Sequence, residues 1–194
     1  MSEAQKILSQ DLRILEAMLV EIEGYLASDA THWPMHREGI SKLTIGGCLM
    51  RLDRLQALRH RLQDIEQLDL DKYRYAFDTL AKDNIVRFEK RSHDELHARL
   101  REWTTYLRNT SSQMARQPDH YANSVDTRIV ISALMDRLQL PPYQMSPQLA
   151  EDVVRMDNYL KGQWQVGEFV LPTVWKEAYP LKRYWWLYGH PRIG

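Results

Sequence analysis

Two histidines four residues apart, in the segment HDELH at 93–97, are the strongest candidates for chemistry in this sequence of 194 residues. Side chains at positions i and i+4 share one face of a helix, so His93 and His97 could bind one metal ion. Glu89 lies one turn earlier on the same face. The segment does not match H-E-x-x-H, because Glu95 falls on another face, and a metalloprotease is therefore not indicated. The pattern predicts a divalent metal or iron site as one alternative.

A second pair, His60 and Asp64, also has the spacing of four that places two ligands on one helical face. Bundle helices could bring such pairs together, as they do in di-iron proteins. In this respect the chain resembles the hemerythrin family, which has H-x-x-x-H and H-x-x-x-E/D patterns on successive bundle helices. The step from His120 to Asp126 misses the last spacing of that family by one residue. We therefore do not assign the chain to it.

Signals for other enzyme chemistry are missing from the sequence. It contains neither a G-x-S-x-G nucleophile motif nor a glycine-rich phosphate-binding motif. Cys48, the single cysteine, lies among Ile45, Leu49 and Leu52, where a small thiol is typical of core packing. We predict a non-enzymatic interaction or scaffold protein that needs no cofactor, with a metal-binding enzyme or sensor as the alternative.

Two further regions could bind a protein partner or a ligand. Glycines in the first turn of a helix cost about 1 kcal/mol each relative to alanine, so the pair at 46 and 47 predicts close approach of a neighbouring segment or of a ligand. We favour close packing. Aromatic residues crowd the segment 163–194, where they either cover the seams of a bundle or form a binding surface. The candidate binding residues are Trp33, Gly46, Gly47, Trp175, Trp185, Trp186 and Tyr188.

Cationic residues cluster at two places. On the predicted second helix they alternate with aspartates, which is typical of a solvated and partly paired face. In the C-terminal segment they interleave with Trp and Tyr, a combination that can bind single-stranded nucleic acid or an anionic ligand. The whole chain carries 26 Lys and Arg against 26 Asp and Glu, so its net charge does not favour a nucleic-acid partner. The cations are Arg51, Arg54, Arg59 and Arg61 on the helix and Lys182, Arg183 and Arg192 in the tail.

Helices must position these residues, because apolar residues recur every three or four positions along most of the chain. After the first helix, Trp33 and Pro34 exclude regular helical geometry. A second helix is predicted from Thr44, or Ser41, as N-cap through Ile65. The seam of the first helix consists of Leu8, Leu12, Leu15, Leu19, Ile22 and Leu26.

Helical periodicity continues almost without pause over 70–114, a span too long for one helix of a small bundle. Ser92 and Glu95 match the S-x-x-E pattern of a capping box, so we expect two helices with a break near Arg91. A turn is expected at 117–119.

The segment 125–138 is almost uninterruptedly apolar and predicts the most buried, central helix. A further helix is expected at 147–162, with Ser146 as N-cap, Pro147 in its first turn and Gly162 at its end. The prolines and glycines of 163–194 predict an irregular tail.

Together these patterns predict one all-α domain over 1–194, an antiparallel bundle of five or six helices with a helical core at about 3–162 and the aromatic tail packed on it. We expect a cytoplasmic protein, because the N-terminal segment lacks the apolar region of a signal peptide and no run is long enough to cross a membrane. A protein partner or self-association through remaining apolar faces is expected.

Overall fold

In the computed structural model, which describes residues 2–30, 33–37, 40–109 and 118–192, the chain forms an α-helical bundle with two small antiparallel sheets. This confirms the all-α class and the packing of an aromatic tail on the bundle. The helices are α1 (Glu3–Ala27), α2 (Ile45–Ala57), α3 (Asp64–Asp83), α4 (Ile85–Asn109), α5 (Pro118–Leu138) and α6 (Pro147–Gly162). The strands are β1 (Trp33–Arg37), β2 (Ile40–Leu43), β3 (Trp164–Phe169) and β4 (Tyr188–Pro191), and short 3-10 helices occupy Arg59–Arg61, Thr173–Ala178 and Trp185–Leu187.

Helix α1 contacts α2 and α3 and buries the predicted seam except Leu19, which is half-buried. Its N-terminus is capped by Ser2, whose Oγ accepts a hydrogen bond of 3.2 Å from the backbone of Gln5. The buried seam residues are Leu8, Leu12, Leu15, Ile22 and Leu26. Within the described residues, none of the helices combines the length and apolar character that a membrane span needs.

The antiparallel strands β1 and β2 lie where Trp33 and Pro34 interrupt the helical periodicity. The indole of Trp33 packs against α1, where its Nε1 donates to Glu21 Oε2 at 2.7 Å. Thr44 then caps α2, because its Oγ1 accepts from the backbone N–H of Gly47 at 3.0 Å. The side chain of Ser41, the alternative N-cap, lies outside the described residues.

The second helix is shorter than predicted. It ends at Ala57 and is followed by a 3-10 turn, and α3 begins at Asp64. Gln63 and Glu66 form a reciprocal capping box at that point, so a new helix starts within the span that the sequence predicts as a single helix. The apolar spacing runs on across the junction, and this is why the sequence pattern did not reveal it.

The break predicted near Arg91 is wrong, because α4 continues through Ser92 and the interruption falls at Asn84. Glu95 does cap a helix, but the helix is α2: its Oε2 accepts from the backbone N–H of Gly46 at 2.8 Å. The pattern of a local capping box therefore marks a tertiary contact here. The predicted turn at 117–119 is also wrong in part, since α5 begins at Pro118; residue 117 lies outside the described residues.

Helix α5 is the buried central element, as predicted. All side chains of 127–134 are buried, and the helix packs on both α2 and α4. Helix α6 also has the predicted bounds, with Ser146 at the N-cap position and Gly162 as its last residue.

In the tail, β3 and β4 pair as a two-stranded antiparallel sheet in which Gly189 lies opposite Val166. Gly189 has φ +139°, and a Cβ atom there would lie 2.0 Å from the carbonyl oxygen of Gln165, so only glycine fits. Two tail tryptophans cover buried guanidinium groups: the ring of Trp175 lies 4.2 Å from Cζ of Arg54, and the ring of Trp186 lies 3.9 Å from Cζ of Arg128. These contacts fix the tail to the bundle.

The tyrosines that the tail buries make stability sensitive to alkaline pH. Burial raises the pKa of Tyr179 to about 12, and it raises the pKa of Tyr121 well above its ordinary value. Because the folded-state pKa exceeds the unfolded value of about 10, this contribution is complete below pH 10 and is lost as the pH rises through the folded pKa. We expect alkaline unfolding, followed by far-UV circular dichroism, at a higher midpoint pH in Tyr179→Phe. An unchanged midpoint would contradict this.

Candidate functional site

A groove between α4 and α6 is the candidate functional site. Two adjoining hollows of about 290 and 380 Å³ make up the groove and share lining residues from both helices. The floor is apolar, because the predicted seams of the two helices meet there. Thr104 fixes their separation: its Oγ1 donates to the carbonyl of Leu100 at 2.7 Å and lies 3.4 Å from Sδ of Met156. The floor residues are Leu100, Leu107, Leu149 and Met156.

The walls of the groove are cationic. Arg101 and Arg108 extend from α4, seven residues apart and hence on one face, and Arg155 extends from α6. Among the described lining residues the single carboxylate is Asp152, which forms an ion pair with Arg155. Tyr159 lies one turn beyond and keeps 52% of its surface exposed. The arrangement offers apolar contact at its base and positive charge at its edges.

Of the predicted metal ligands on α4, His97 is exposed and lines this groove, but the other two are engaged elsewhere. Nδ1 of His93 lies 3.0 Å from the carbonyl oxygen of Glu89, a contact within one helical turn. The Glu89 carboxylate accepts from the backbone N–H of Gln144 at 2.8 Å and so ties α4 to the segment before α6.

His60 and Asp64, the second predicted ligand pair, do not form a metal-binding group with the first pair in the described chain. His60 is exposed with Nε2 3.3 Å from Glu177 Oε1, and Asp64 lies in the first turn of α3. In the part of the chain that the structure describes, no group of three or more His, Cys, Asp or Glu side chains could hold a metal ion. Metal binding by His93, His97, Glu89, His60 or Asp64 stays a prediction.

Gly46 and Gly47 allow α2 to pack closely against its neighbours, which is the interpretation that we favoured. A Cβ atom on Gly46 would lie 2.5 Å from Cγ1 of Val130 and 2.9 Å from Oε1 of Glu95. Cys48 is fully buried in the core, and burial raises the pKa of its thiol, as is typical of a cysteine that serves packing.

The other aromatic candidates lie on the bundle. Trp175 and Trp186 are buried, whereas Trp33, Trp185 and Tyr188 are half-buried. Trp185 and Trp186 end a chain of ring contacts that begins at Trp103 of α4 and Tyr121 of α5 and passes through Trp164, with neighbouring ring centroids 5.3–6.3 Å apart. Partner binding through these residues stays a prediction, because all of these ring contacts lie within the chain.

The tail cations are held by the bundle and by the tail itself. Arg183 forms an ion pair with Asp136 of α5, and Nε of Arg192 donates to the carbonyl oxygen of Trp164 at 3.2 Å. Lys182 is exposed. Two of these three cations thus have partners within the chain, which weakens a nucleic-acid surface at this place.

The arginines of α2 differ from the solvated face that the sequence predicts. Arg54 is largely buried and forms a bidentate ion pair with Asp11, whose Oδ2 lies 2.7 Å from Nε of Arg54. Nε of Arg51 lies 3.3 Å from the other oxygen of the same carboxylate. The solvated-face interpretation is therefore wrong for these two residues, because α1 and Trp175 cover them.

The groove residues Arg101, Arg108, Arg155 and Tyr159 match no functional motif in the sequence. On a single helix they resemble an ordinary exposed face, and only the pairing of α4 with α6 brings them together. The one available signal was their spacing, seven residues on α4 and four on α6, beside each apolar seam.

The chain matches no protein-family model, curated protein or solved structure to which it was compared.

Proposed function

We propose that the protein is a non-enzymatic interaction protein that binds an acidic, amphipathic segment of a partner protein in the α4–α6 groove. The carrying observation is an apolar floor between two helices whose walls hold three arginines against one aspartate. Such a groove matches the way in which an amphipathic helix is bound, with apolar side chains at helical spacing directed inward.

The floor supplies the apolar part of the interaction. Leu100, Leu107 and Leu149 form its buried base, and Met156 lies half-buried among them with a side chain that can adapt to different partners. Tyr159, half-exposed at one end, is the kind of aromatic residue that carries a large share of binding energy at interfaces once it is covered.

The walls select the charge of the partner. Arg101 and Arg155 alone exceed Asp152 by one positive charge, so glutamates or aspartates flanking the apolar stripe of a partner would be attracted and lysines repelled. A nucleic acid lacks apolar side chains for the floor, and this favours a protein segment.

The test uses two synthetic, fluorescein-labelled helical peptides that share a leucine stripe and differ only in carrying glutamate or lysine at the flanking positions. We expect fluorescence anisotropy to show binding of the glutamate peptide, at least about tenfold tighter than the lysine peptide. The double variant Arg101→Glu/Arg155→Glu should reverse that preference, because both positions are exposed and the substitutions change charge without disturbing the core.

Val154→Glu is the matched control, since Val154 lies on α6, is 57% exposed and does not line the groove. It should leave both affinities unchanged. Equal binding of the two peptides, or no binding of either, would contradict the proposal. So would an unchanged preference in the double variant.

A further inference from the structure

A cleft of about 610 Å³ lies between α1, α2 and the tail, on surfaces separate from the groove. Ile7 and Ile14 of α1 form its apolar wall, and Trp175 of the tail borders it. The charged side chains around it are Lys6, Arg13, Arg51 and Arg54 against Glu3 and Asp11. The cleft therefore combines a wall for an apolar body with a surplus of positive charge, within the size range of a small-molecule site.

Ion pairs within the cleft leave two of its four cations without a full counter-charge. Lys6 pairs with Glu3 at 3.5 Å, and Arg54 takes both oxygens of Asp11. Arg13 is exposed and forms no ion pair with a residue that the structure describes, and Arg51 shares only one oxygen of the carboxylate that Arg54 already binds.

The hydrogen-bonding capacity of Arg51 is largely unused. One Nη1 hydrogen is donated to the carbonyl oxygen of Gly47 at 3.1 Å, whereas the buried Nε lies 3.3 Å from Oδ1 of Asp11 but forms no hydrogen bond with a described atom. A guanidinium group has five N–H donors, so most of those of Arg51 have no acceptor within the described chain. The side chain is 20% exposed and lines the cleft, from which an acceptor could reach it.

The two guanidinium groups differ in how well their charge is compensated. Burial lowers the pKa of Arg51, and the attraction of Asp11 does not make up for that loss. Burial acts in the same direction on Arg54, but the charge and hydrogen bonds of Asp11 outweigh it and raise the pKa. Asp126, the other nearby carboxylate, is exposed and pairs with neither arginine. Arg51 thus holds a largely buried positive charge that lacks a full counter-charge, a costly state that a bound anion would relieve.

We propose that this cleft binds a small phosphate monoester, with the phosphate against Arg51 and Arg13 and the organic group against Ile7 and Ile14. A phosphate monoester carries a charge of about −1.5 to −2 at neutral pH, so it matches the unpaired Arg13 and the partly compensated Arg51 better than a singly charged carboxylate would. Its oxygens accept several hydrogen bonds in the fork geometry that guanidinium groups offer.

Isothermal titration calorimetry of the full chain with phenyl phosphate, at constant ionic strength set by sodium chloride, tests the proposal. We expect saturable binding, weaker binding of inorganic phosphate because it lacks the apolar group, and at least about tenfold weaker binding of benzoate. Arg51→Gln and Arg13→Gln should each weaken phenyl phosphate binding at least about tenfold.

Arg87→Gln is the control, because Arg87 is exposed on α4 and does not line the cleft, and it should bind as the wild type does. If Arg51→Gln fails to fold, as circular dichroism would show, the exposed Arg13→Gln decides the outcome. Failure of the wild type to saturate by about 10 mM would overturn the proposal, and so would unchanged binding in the folded cleft variants. The result is independent of the peptide test, because the two sites share no residue.

Discussion

Asp11→Asn is expected to lower the free energy of unfolding by about 3–5 kcal/mol, the usual cost of removing one partner from a buried ion pair. The Asp11 side chain is only 4% exposed, and Arg54 beside it is 10% exposed. The amide keeps the shape of the carboxylate but removes its charge, which leaves the guanidinium groups of Arg51 and Arg54 without their shared counter-charge. Urea unfolding followed by far-UV circular dichroism measures the loss.

Asp94→Asn is the matched control for this change. Asp94 forms an exposed ion pair with Lys90 on α4, and removing it should cost less than about 0.5 kcal/mol. A loss at Asp11 as small as that at Asp94 would show that water compensates the arginines and that the pair is not structurally important.

Gly46→Ala should destabilise the fold by about 1–3 kcal/mol, although alanine favours a helix over glycine by about 1 kcal/mol. The added Cβ would lie 2.5 Å from Val130 Cγ1, which belongs to the rigid central helix, and 3.0 Å from Leu134 Cδ1. It would also approach Glu95 Oε1 to 2.9 Å and disturb the carboxylate that caps α2. Thermal and urea unfolding of the variant measure the effect.

Gly162→Ala separates the steric effect from helix propensity. Apart from its chain neighbours and its own helix backbone, no described residue lies within 4 Å of the position that its Cβ would take, so the substitution should be neutral or stabilise by up to about 1 kcal/mol. If Gly46→Ala were stabilising to the same extent, the close contact between α2 and α5 would not exist.

The apolar periodicity predicted most of the helices, because the buried face of each helix follows from the spacing of apolar residues within its own segment. The seam of α1, the buried α5 and the bounds of α6 follow from spacing and caps that lie within each segment. The junctions at Ala57 and Asn84 could not be read in the same way, since the periodicity passes across both.

The pattern at Ser92 and Glu95 shows why such signals fail. Glu95 is a helix cap, but its partner Gly46 is 49 residues away in sequence. The motif therefore predicts a capping carboxylate correctly but assigns it to the wrong helix. The groove and the cleft depend on pairs of helices in the same way. Arg51 resembles a surface residue in the sequence, and only the position of Asp11 and Trp175 makes it a buried cation.

The rings of Trp175 and Trp186 over Arg54 and Arg128 have a consequence for biosynthesis. A nascent chain that has emerged only as far as α6 already contains both arginines and their aspartates, yet it lacks the rings that shield them from water. We therefore expect the guanidinium groups of such an intermediate to stay hydrated until the segment that carries both rings has been added to the chain.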